Sequence, residues 1–345
     1  MMEDNVTRYK QTYLAGRLTI LALVLLLLLT TACGAAPAGS ADDGAASGGG
    51  SNATTTAETA LSVSGAFALF PLMTVWVEAY HALHPEVTFD MQAGGAGKGM
   101  TDMLSGVADI AMLSREPRQE ELVQGAFLVP VAIDSVLATV NAGNPYLDLL
   151  LAQGLTTEEA QGIWITQEIT TWGQLLGNGS DDSINVYTRS DSSGAAEIWA
   201  LFALAEAQEE LRGTAVNGDP GVAEAVRQDR LAIGYNNVGF AYDQTTGQPI
   251  PGLHPVPLDL DGDGQIADDE AFYATRDTFT AAVAAGRYPF PPARVLYLVT
   301  RGQPSPAIVD FYRWVLNEGQ SFVAGAGYVS LADAHLQEAL DLLGE

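Results

Sequence analysis

Residues 61–100 decide the fold, and they read LSVSGAFALFPLMTVWVEAYHALHPEVTFDMQAGGAGKGM. Residues 61–64 predict a strand, 71–83 a helix and 87–91 a second strand, because short apolar runs alternate with a longer amphipathic one. The order continues with a helix at 98–105 and strands at 109–113 and 127–132. A β-α-β-α-β order of this kind is typical of an α/β fold with a largely parallel sheet.

A second α/β set follows the first. Strands are predicted at 136–140, 184–187 and 232–235, with helices at 156–163, 195–207 and 221–228. A strand at 295–299 and helices at 306–316 and 331–343 close the chain, and the proline-rich stretch 289–292 looks like a crossover back to the first set. We therefore expect two lobes joined by a hinge: 61–136 plus 290–345 as lobe I, and 137–289 as lobe II.

The first 33 residues have the features of an export signal. Arg8, Lys10 and Arg17 precede an apolar run at 18–29, which is too short to span a bilayer. Small residues lead to Cys33, the single cysteine of the chain, in a pattern that resembles a bacterial lipobox. An ordinary secretory signal is the alternative, but a lone cysteine makes no internal disulfide. We expect Cys33 to be lipidated, and residues 34–58, rich in Ala, Gly, Ser and Thr, to form a disordered linker.

The charge balance limits the partners. The chain carries 15 basic and 42 acidic residues, a formal net charge of −27. Nucleic acid is an unsuitable partner, because binding its phosphates requires a basic surface. A small anion is not excluded, since a buried ion responds to nearby amides and charges while distant surface charge is screened.

Three turns share one pattern, in which a strand ends, a Gly or Pro turn follows and a helix begins. They lie at 65–71, 94–99 and 192–197. Each leaves unpaired N–H groups at a helix start, where the helix dipole favours negative charge. Arg189 and Asp191 stand just before the third turn. Together these features indicate an oxyanion clamp.

From about residue 61 to 331 the chain resembles the phosphate-binding subunits of ABC transporters, which have the type II periplasmic-binding-protein fold. The stretches that carry the resemblance are 93–99 (AGGAGKG), 109–115 (DIAMLSR), 129–136 (VPVAIDSV), 144–145 (NP), 169–172 (ITTW), 189–194 (RSDSSG), 232–235 (AIGY), 294–299 (RVLYLV) and 327–331 (GYVSL). The resemblance implies an extracytoplasmic solute-binding protein, not an enzyme, that closes around its ligand and docks on a permease. The expected oxyanion-binding residues are Ala68, Leu69, Ala96, Gly97, Ser114, Arg189, Asp191, Ser193, Gly194 and Ala195, with Asp191 orienting Arg189.

This sequence also departs from the family pattern. Hydroxyl residues usual in the three turns are replaced by Phe67 and Ala68, by Ala96, and by Ala195, and Arg115 stands where well-known members have a proton-accepting aspartate. Lys98, Arg115 or water would have to replace the lost donors. Phosphate is the first choice of ligand, with sulfate, molybdate and tungstate as alternatives.

Residues 259–270 (DLDGDGQIADDE) fit the twelve-residue EF-hand calcium loop. Carboxylates stand at positions 1, 3, 5 and 12, with glycine at position 6. The expected calcium ligands are Asp259, Asp261, Asp263, the backbone carbonyl of Gln265, and Glu270. Prolines at 249–257 exclude an entering helix, so we expect a single exiting helix from about Asp268 and a structural calcium ion.

Two other functional classes stay open. One is a calcium-stabilised surface lipoprotein for adhesion, assembly or sensing, with a degenerate anion cleft. The other, less favoured because no Ser-His-acid set or Gly-x-Ser-x-Gly motif occurs, is an enzyme such as a phosphatase. We expect a monomer held at the membrane by its lipid.

Overall fold

The computed structural model describes residues 58–344, which belong to one compact unit. The predicted signal segment, the lipidation site Cys33 and the linker up to residue 57 lie outside the described residues. Among residues 58–344, every helix is too short or too polar to cross a bilayer.

Strands and helices alternate along the chain as predicted. The strands are β1 Thr59–Gly65, β2 Val87–Ala93, β3 Ile110–Leu113, β4 Ala126–Asn141, β5 Asn185–Arg189, β6 Thr214–Val216, β7 Ala232–Asn237, β8 Leu253–Pro255 and β9 Ala293–Arg301. The helices are α1 Phe70–Leu83, α2 Ala96–Ser105, α3 Gln119–Val123, α4 Leu147–Gln153, α5 Thr157–Trp164, α6 Trp172–Leu176, α7 Gly194–Phe202, α8 Gly218–Gln228, α9 Val238–Ala241, α10 Arg276–Ala284, α11 Pro306–Leu316 and α12 Asp333–Leu342.

The strands of the described region form one curled sheet in the order β2-β1-β3-β9-β4-β7-β5-β6, with β8 also paired to β4. Pairing is parallel at both ends, where β1 lies between β2 and β3 and β5 lies between β7 and β6. It is antiparallel wherever β4 or β9 takes part. The sheet is therefore more mixed than the sequence predicts, because the two longest strands cross from one half to the other.

The apolar core has two main parts. One contains buried side chains from 61–132 and 296–343 except Leu331, and the other contains Leu331 and buried side chains from 133–293. Val295 packs against both. Helix α1 shows how the sequence builds this core: Leu72, Met73, Trp76 and Tyr80 recur at helical spacing and are all buried.

Four predicted elements differ from the structure. The two strands predicted at 127–132 and 136–140 are one continuous strand, β4, whose residues are almost all buried. Helix α7 ends at Phe202, because Leu204 adopts a φ of 62°. The exiting helix predicted from Asp268 is wrong: a single turn there is followed by the buried rings of Phe272 and Tyr273, and α10 begins at Arg276.

Candidate functional site

Arg189 lies at the end of β5 and is held by two carboxylates. Its Nε and Nη2 donate to Oδ1 and Oδ2 of Asp191 at 2.8 and 2.6 Å, which is the paired contact expected from the sequence. Its Nη1 donates to Oδ2 of Asp219 at 2.5 Å. Burial lowers the pKa of Arg189, but the carboxylates of Asp219 and Asp191 outweigh it and raise the pKa above its ordinary value. Arg189 is a permanent, buried cation.

The first turn reaches Arg189 through Phe67. The Arg189 guanidinium carbon lies 5.4 Å from the centre of the Phe67 ring, within the range of a cation–π contact. The same turn is tied to its neighbours, because Ala66 N–H donates to Met112 O at 2.9 Å and Ala68 O accepts from the Tyr328 hydroxyl at 2.6 Å. Phe67, which the sequence presents as a departure from the family, therefore covers the arginine.

The second and third turns touch each other. Gly97 N–H donates to Ser192 O at 3.1 Å. Gly95 has a φ of 92°, and a Cβ there would lie 2.7 Å from Asp191 Oδ2. The glycines of the second turn are thus required by the close approach of the third.

Ser114, at the end of β3, meets the start of α7. A Cβ on Gly194 would overlap the hydroxyl and carbonyl oxygens of Ser114. Ser193 is the N-cap of α7 and accepts from Ala196 N–H at 3.2 Å, while its own N–H donates to Gln208 Oε1 at 2.8 Å. These contacts fix the helix start next to Ser114.

The structure thus gathers the predicted residues of all three turns around Arg189. Four buried residues from these turns, Ala68, Ala96, Gly194 and Ala195, have backbone N–H groups with no hydrogen-bond acceptor in the described region. Buried N–H groups are rarely left unpaired, so such groups at helix starts favour an anionic ligand. Two predicted residues behave differently, because the N–H of Leu69 donates to Ala66 O at 3.2 Å and the N–H of Gly97 donates to Ser192 O at 3.1 Å.

The two cations expected to replace lost hydroxyls are engaged elsewhere. Lys98 contacts Asp102 and Ser64 on α2 and β1, with its side chain 44% exposed. Arg115 donates to both carboxylate oxygens of Glu121, at 3.0 and 2.7 Å. Neither supplies the missing donors in this conformation.

Several buried polar residues beside the site were not singled out from sequence. Asp219 Oδ1 accepts from the backbone and side-chain N–H groups of Asn237, at 3.2 and 2.7 Å. Asn237 Oδ1 accepts from Arg294, which also donates to Asp134 Oδ2 at 3.1 Å. A signal was available: Asp134 and Arg294 interrupt otherwise apolar strands, and Gly218–Asp219 forms a fourth strand-to-helix turn.

The acidic loop at 259–270 is also compact. Ligand oxygens of Asp259, Asp261 and Asp263 lie within 4.8 Å of one another. Glu270 is buried and holds the loop closed, with its carboxylate accepting from Leu260 N–H at 2.7 Å and from Ala267 N–H at 3.2 Å. The first three predicted ligands thus converge, whereas Glu270 lies outside this group and its two carboxylate oxygens accept from backbone N–H groups of the loop.

A family model described as a PBP superfamily domain matches residues 50–318. The chain belongs to the PBP superfamily. It is 26% identical over 307 residues to the phosphate-binding protein PstS of Pseudomonas aeruginosa, covering 82% of this chain and 87% of that protein. It is 25% identical over 284 residues to PstS of Bacillus subtilis, covering 80% and 82%. These relatives confirm the family similarity predicted from the quoted motifs.

Two solved structures show the same fold. A putative phosphate ABC transporter substrate-binding protein from Clostridium perfringens, solved with bound phosphate, gives a TM-score of 0.63 at 23% identity, covering 79% of this chain and 100% of that one. An ABC-type phosphate transport receptor from Vibrio cholerae gives 0.58 at 22% identity with the same coverages. The type II periplasmic-binding-protein fold predicted from the sequence is confirmed.

Proposed function

We propose that this protein captures phosphate, or a related tetrahedral oxyanion, outside the cytoplasm and delivers it to an ABC importer. The observation that carries the proposal is the set of N–H groups without an acceptor at four buried residues, Ala68, Ala96, Gly194 and Ala195, on turns that contact one another and Arg189. Relatives named as phosphate-binding proteins, aligned over most of both chains, support phosphate as the ligand.

The proposed role is binding and not catalysis. Arg189 and the helix-start amides hold charge and donate hydrogen bonds, and Asp191 keeps the guanidinium fork oriented. A ligand that touches turns from both parts of the core would hold them together, which is the basis of closure in hinged binding proteins. The closed form would dock on the permease as a monomer.

Calorimetric titration of ligand-free protein with phosphate, sulfate, molybdate and tungstate tests this function. Heat from phosphate alone supports it as stated. Heat from another of the four anions and none from phosphate reassigns the ligand. Silence from all four overturns the transport function and favours a surface lipoprotein used in adhesion, assembly or sensing.

We further propose that the mature chain is anchored to the membrane by lipid on Cys33. The lipobox-like sequence before Cys33 supports this. Labelling cells with a radioactive fatty acid tests it: the wild-type protein should carry label and fractionate with membranes, and Cys33→Ser should do neither. Equal labelling of both proteins would rule out Cys33 as the anchor.

We also propose a structural calcium ion at Asp259, Asp261, Asp263, the carbonyl of Gln265, and Glu270. Support comes from the EF-hand spacing and from the convergence of the three aspartates. The loop is joined to the rest of its lobe by Ile266, whose N–H donates to Ala152 O at 2.8 Å. The ion would brace this insertion and would not sense signalling calcium.

A further inference from the structure

Asp219 places a second carboxylate on the arginine of the proposed site. The Arg189 and Asp219 side chains are each 1% exposed, and Asp191 is 8% exposed. All three nitrogens of the guanidinium donate to these two carboxylates. Asp191 alone orients the fork, and Asp219 accepts from the remaining nitrogen and adds a second negative charge beside the arginine.

The charge of this cluster is unusual for an anion site. Arg189 contributes one positive charge, while Asp191 and Asp219 contribute two negative charges. Arg294 does not correct the balance, because Asp134 is its partner. Since buried charges are weakly screened, the three groups together repel an anion beside them more as its charge increases.

Asp219 is not free to turn away. Asn237 donates to its Oδ1 from both the backbone and the side chain, while Arg189 holds its Oδ2. Both carboxylate oxygens are therefore used as acceptors, and an amide at this position would turn its NH2 group toward either Arg189 or Asn237. These contacts hold the negative charge of Asp219 in place beside Arg189.

We propose that Asp219 is a specificity-determining residue, which offsets Arg189 so that the site favours a singly charged, hydrogen-bearing oxyanion over a dianion. This inference rests on the oxyanion function proposed above. It makes monobasic phosphate the preferred species and sulfate, a dianion without a proton, the species most strongly rejected. The discrimination comes from charge beside the arginine and needs no direct contact between Asp219 and the ligand.

Other charged or titratable groups near Asp219 limit the conditions of a test. They are Arg189 and Asp191 beside it, Tyr235 on β7, Asp134 on β4, Arg294 on β9, and Tyr328. Burial raises the pKa of Asp134 to about 6, so it stays ionised at higher pH. Titrations between about pH 7 and about pH 8.5 then vary mainly the protonation of phosphate itself.

The experiment compares phosphate and sulfate affinities of the wild type, Asp219→Asn and Asp219→Glu by calorimetry. The wild type should bind phosphate more tightly at the lower pH and bind sulfate at least about 100-fold more weakly. Asp219→Asn should strengthen sulfate binding relative to phosphate binding by about 10-fold or more and flatten the pH dependence. Asp219→Glu, which keeps the charge, should retain the phosphate-to-sulfate ratio even if both affinities fall.

A purely structural role gives a different result. Loss of Arg189 positioning would weaken both anions equally in Asp219→Asn and leave their ratio unchanged, which overturns the inference. If Asp219→Asn does not fold, the wild type still decides: equal affinity for phosphate and sulfate, or phosphate affinity that rises with pH, also overturns it. A wild type that binds no oxyanion overturns the proposed function and this inference with it.

Discussion

Asp134 and Arg294 lie opposite each other in register across β4 and β9, at the position where the apolar core divides into its two parts. Both side chains are buried, and one hydrogen bond of 3.1 Å joins them. Asp134 Oδ1 and Arg294 Nε and Nη1 have no hydrogen-bond partner among the described residues. A pair that is joined at one point and desolvated elsewhere is costly to keep ionised.

The first prediction concerns the pH dependence of stability at Asp134. Burial, opposed only in part by Arg294, raises its pKa from 3.8 to about 6. The folded protein therefore binds a proton that the unfolded chain has lost between these pH values, and its stability falls as pH rises through this window. Asp134→Asn lacks this pH dependence. The difference in unfolding free energy, variant minus wild type, should therefore rise by up to about 3 kcal/mol as the pH increases from about 4.5 to about 7.5.

Urea unfolding of both proteins across this pH range measures the difference. Asp90→Asn is the matched control, because Asp90 is an exposed aspartate on β2. The difference in unfolding free energy between Asp90→Asn and the wild type should be the same across the pH range. A flat difference for Asp134→Asn as well would mean that the buried carboxyl is not destabilised by its surroundings.

The second prediction concerns the guanidinium of Arg189. Arg189→Lys keeps the positive charge but loses the fork that meets Asp191 and the third contact to Asp219. Two buried carboxylates would lose partners, so phosphate affinity should fall by about 10- to 100-fold. Arg227→Lys is the control, since Arg227 is 41% exposed on α8, and it should bind phosphate as the wild type does. Equal calorimetric affinity in all three proteins would remove Arg189 from the site.

The sequence predicted the framework of the site better than its electrostatics. Strand-to-helix turns are local features, so glycines at 65, 95, 97 and 194 were enough to locate the three turns. The Arg189–Asp191 pair could also be found, because the two residues are close in the sequence. The partners of Lys98 and Arg115 depend on which side chains fold against them, and both cations pair with carboxylates away from the turns. Asp219 contacts Arg189 through one carboxylate oxygen and Asn237 of β7 through the other. Its turn can be recognised in the sequence, but its contacts with these distant segments cannot.

The third prediction uses the close contact between Gly194 and Ser114. A Cβ at position 194 would overlap the backbone carbonyl of Ser114, which no rotamer change relieves. Gly194→Ala should lower the unfolding free energy by about 1–3 kcal/mol and weaken phosphate binding, because the start of α7 must move. Gly221→Ala is the control. Gly221 lies within α8, and a Cβ there would meet its nearest atom, in Val216, at 3.7 Å. It should be neutral or slightly stabilising. Thermal unfolding measures the change in stability and calorimetry measures the change in phosphate affinity. Wild-type values of both for Gly194→Ala would contradict this packing.

The fourth prediction concerns the proposed calcium loop, whose negative charges repel one another unless a cation lies among them. At a free calcium concentration about 100 times the dissociation constant, binding should add about 3 kcal/mol of stability and raise the melting temperature by several degrees. Glu270→Gln should lose most of this increase, because the buried Glu270 would supply the bidentate ligand. Glu224→Gln, an exposed change on α8, should keep it. Magnesium is the discriminating ion: it prefers octahedral sites with retained water, so it should stabilise the protein far less than calcium. Equal melting temperatures with calcium and with chelator would show that hydrogen bonds from Leu260, Gly262 and Gly264 hold the loop without an ion.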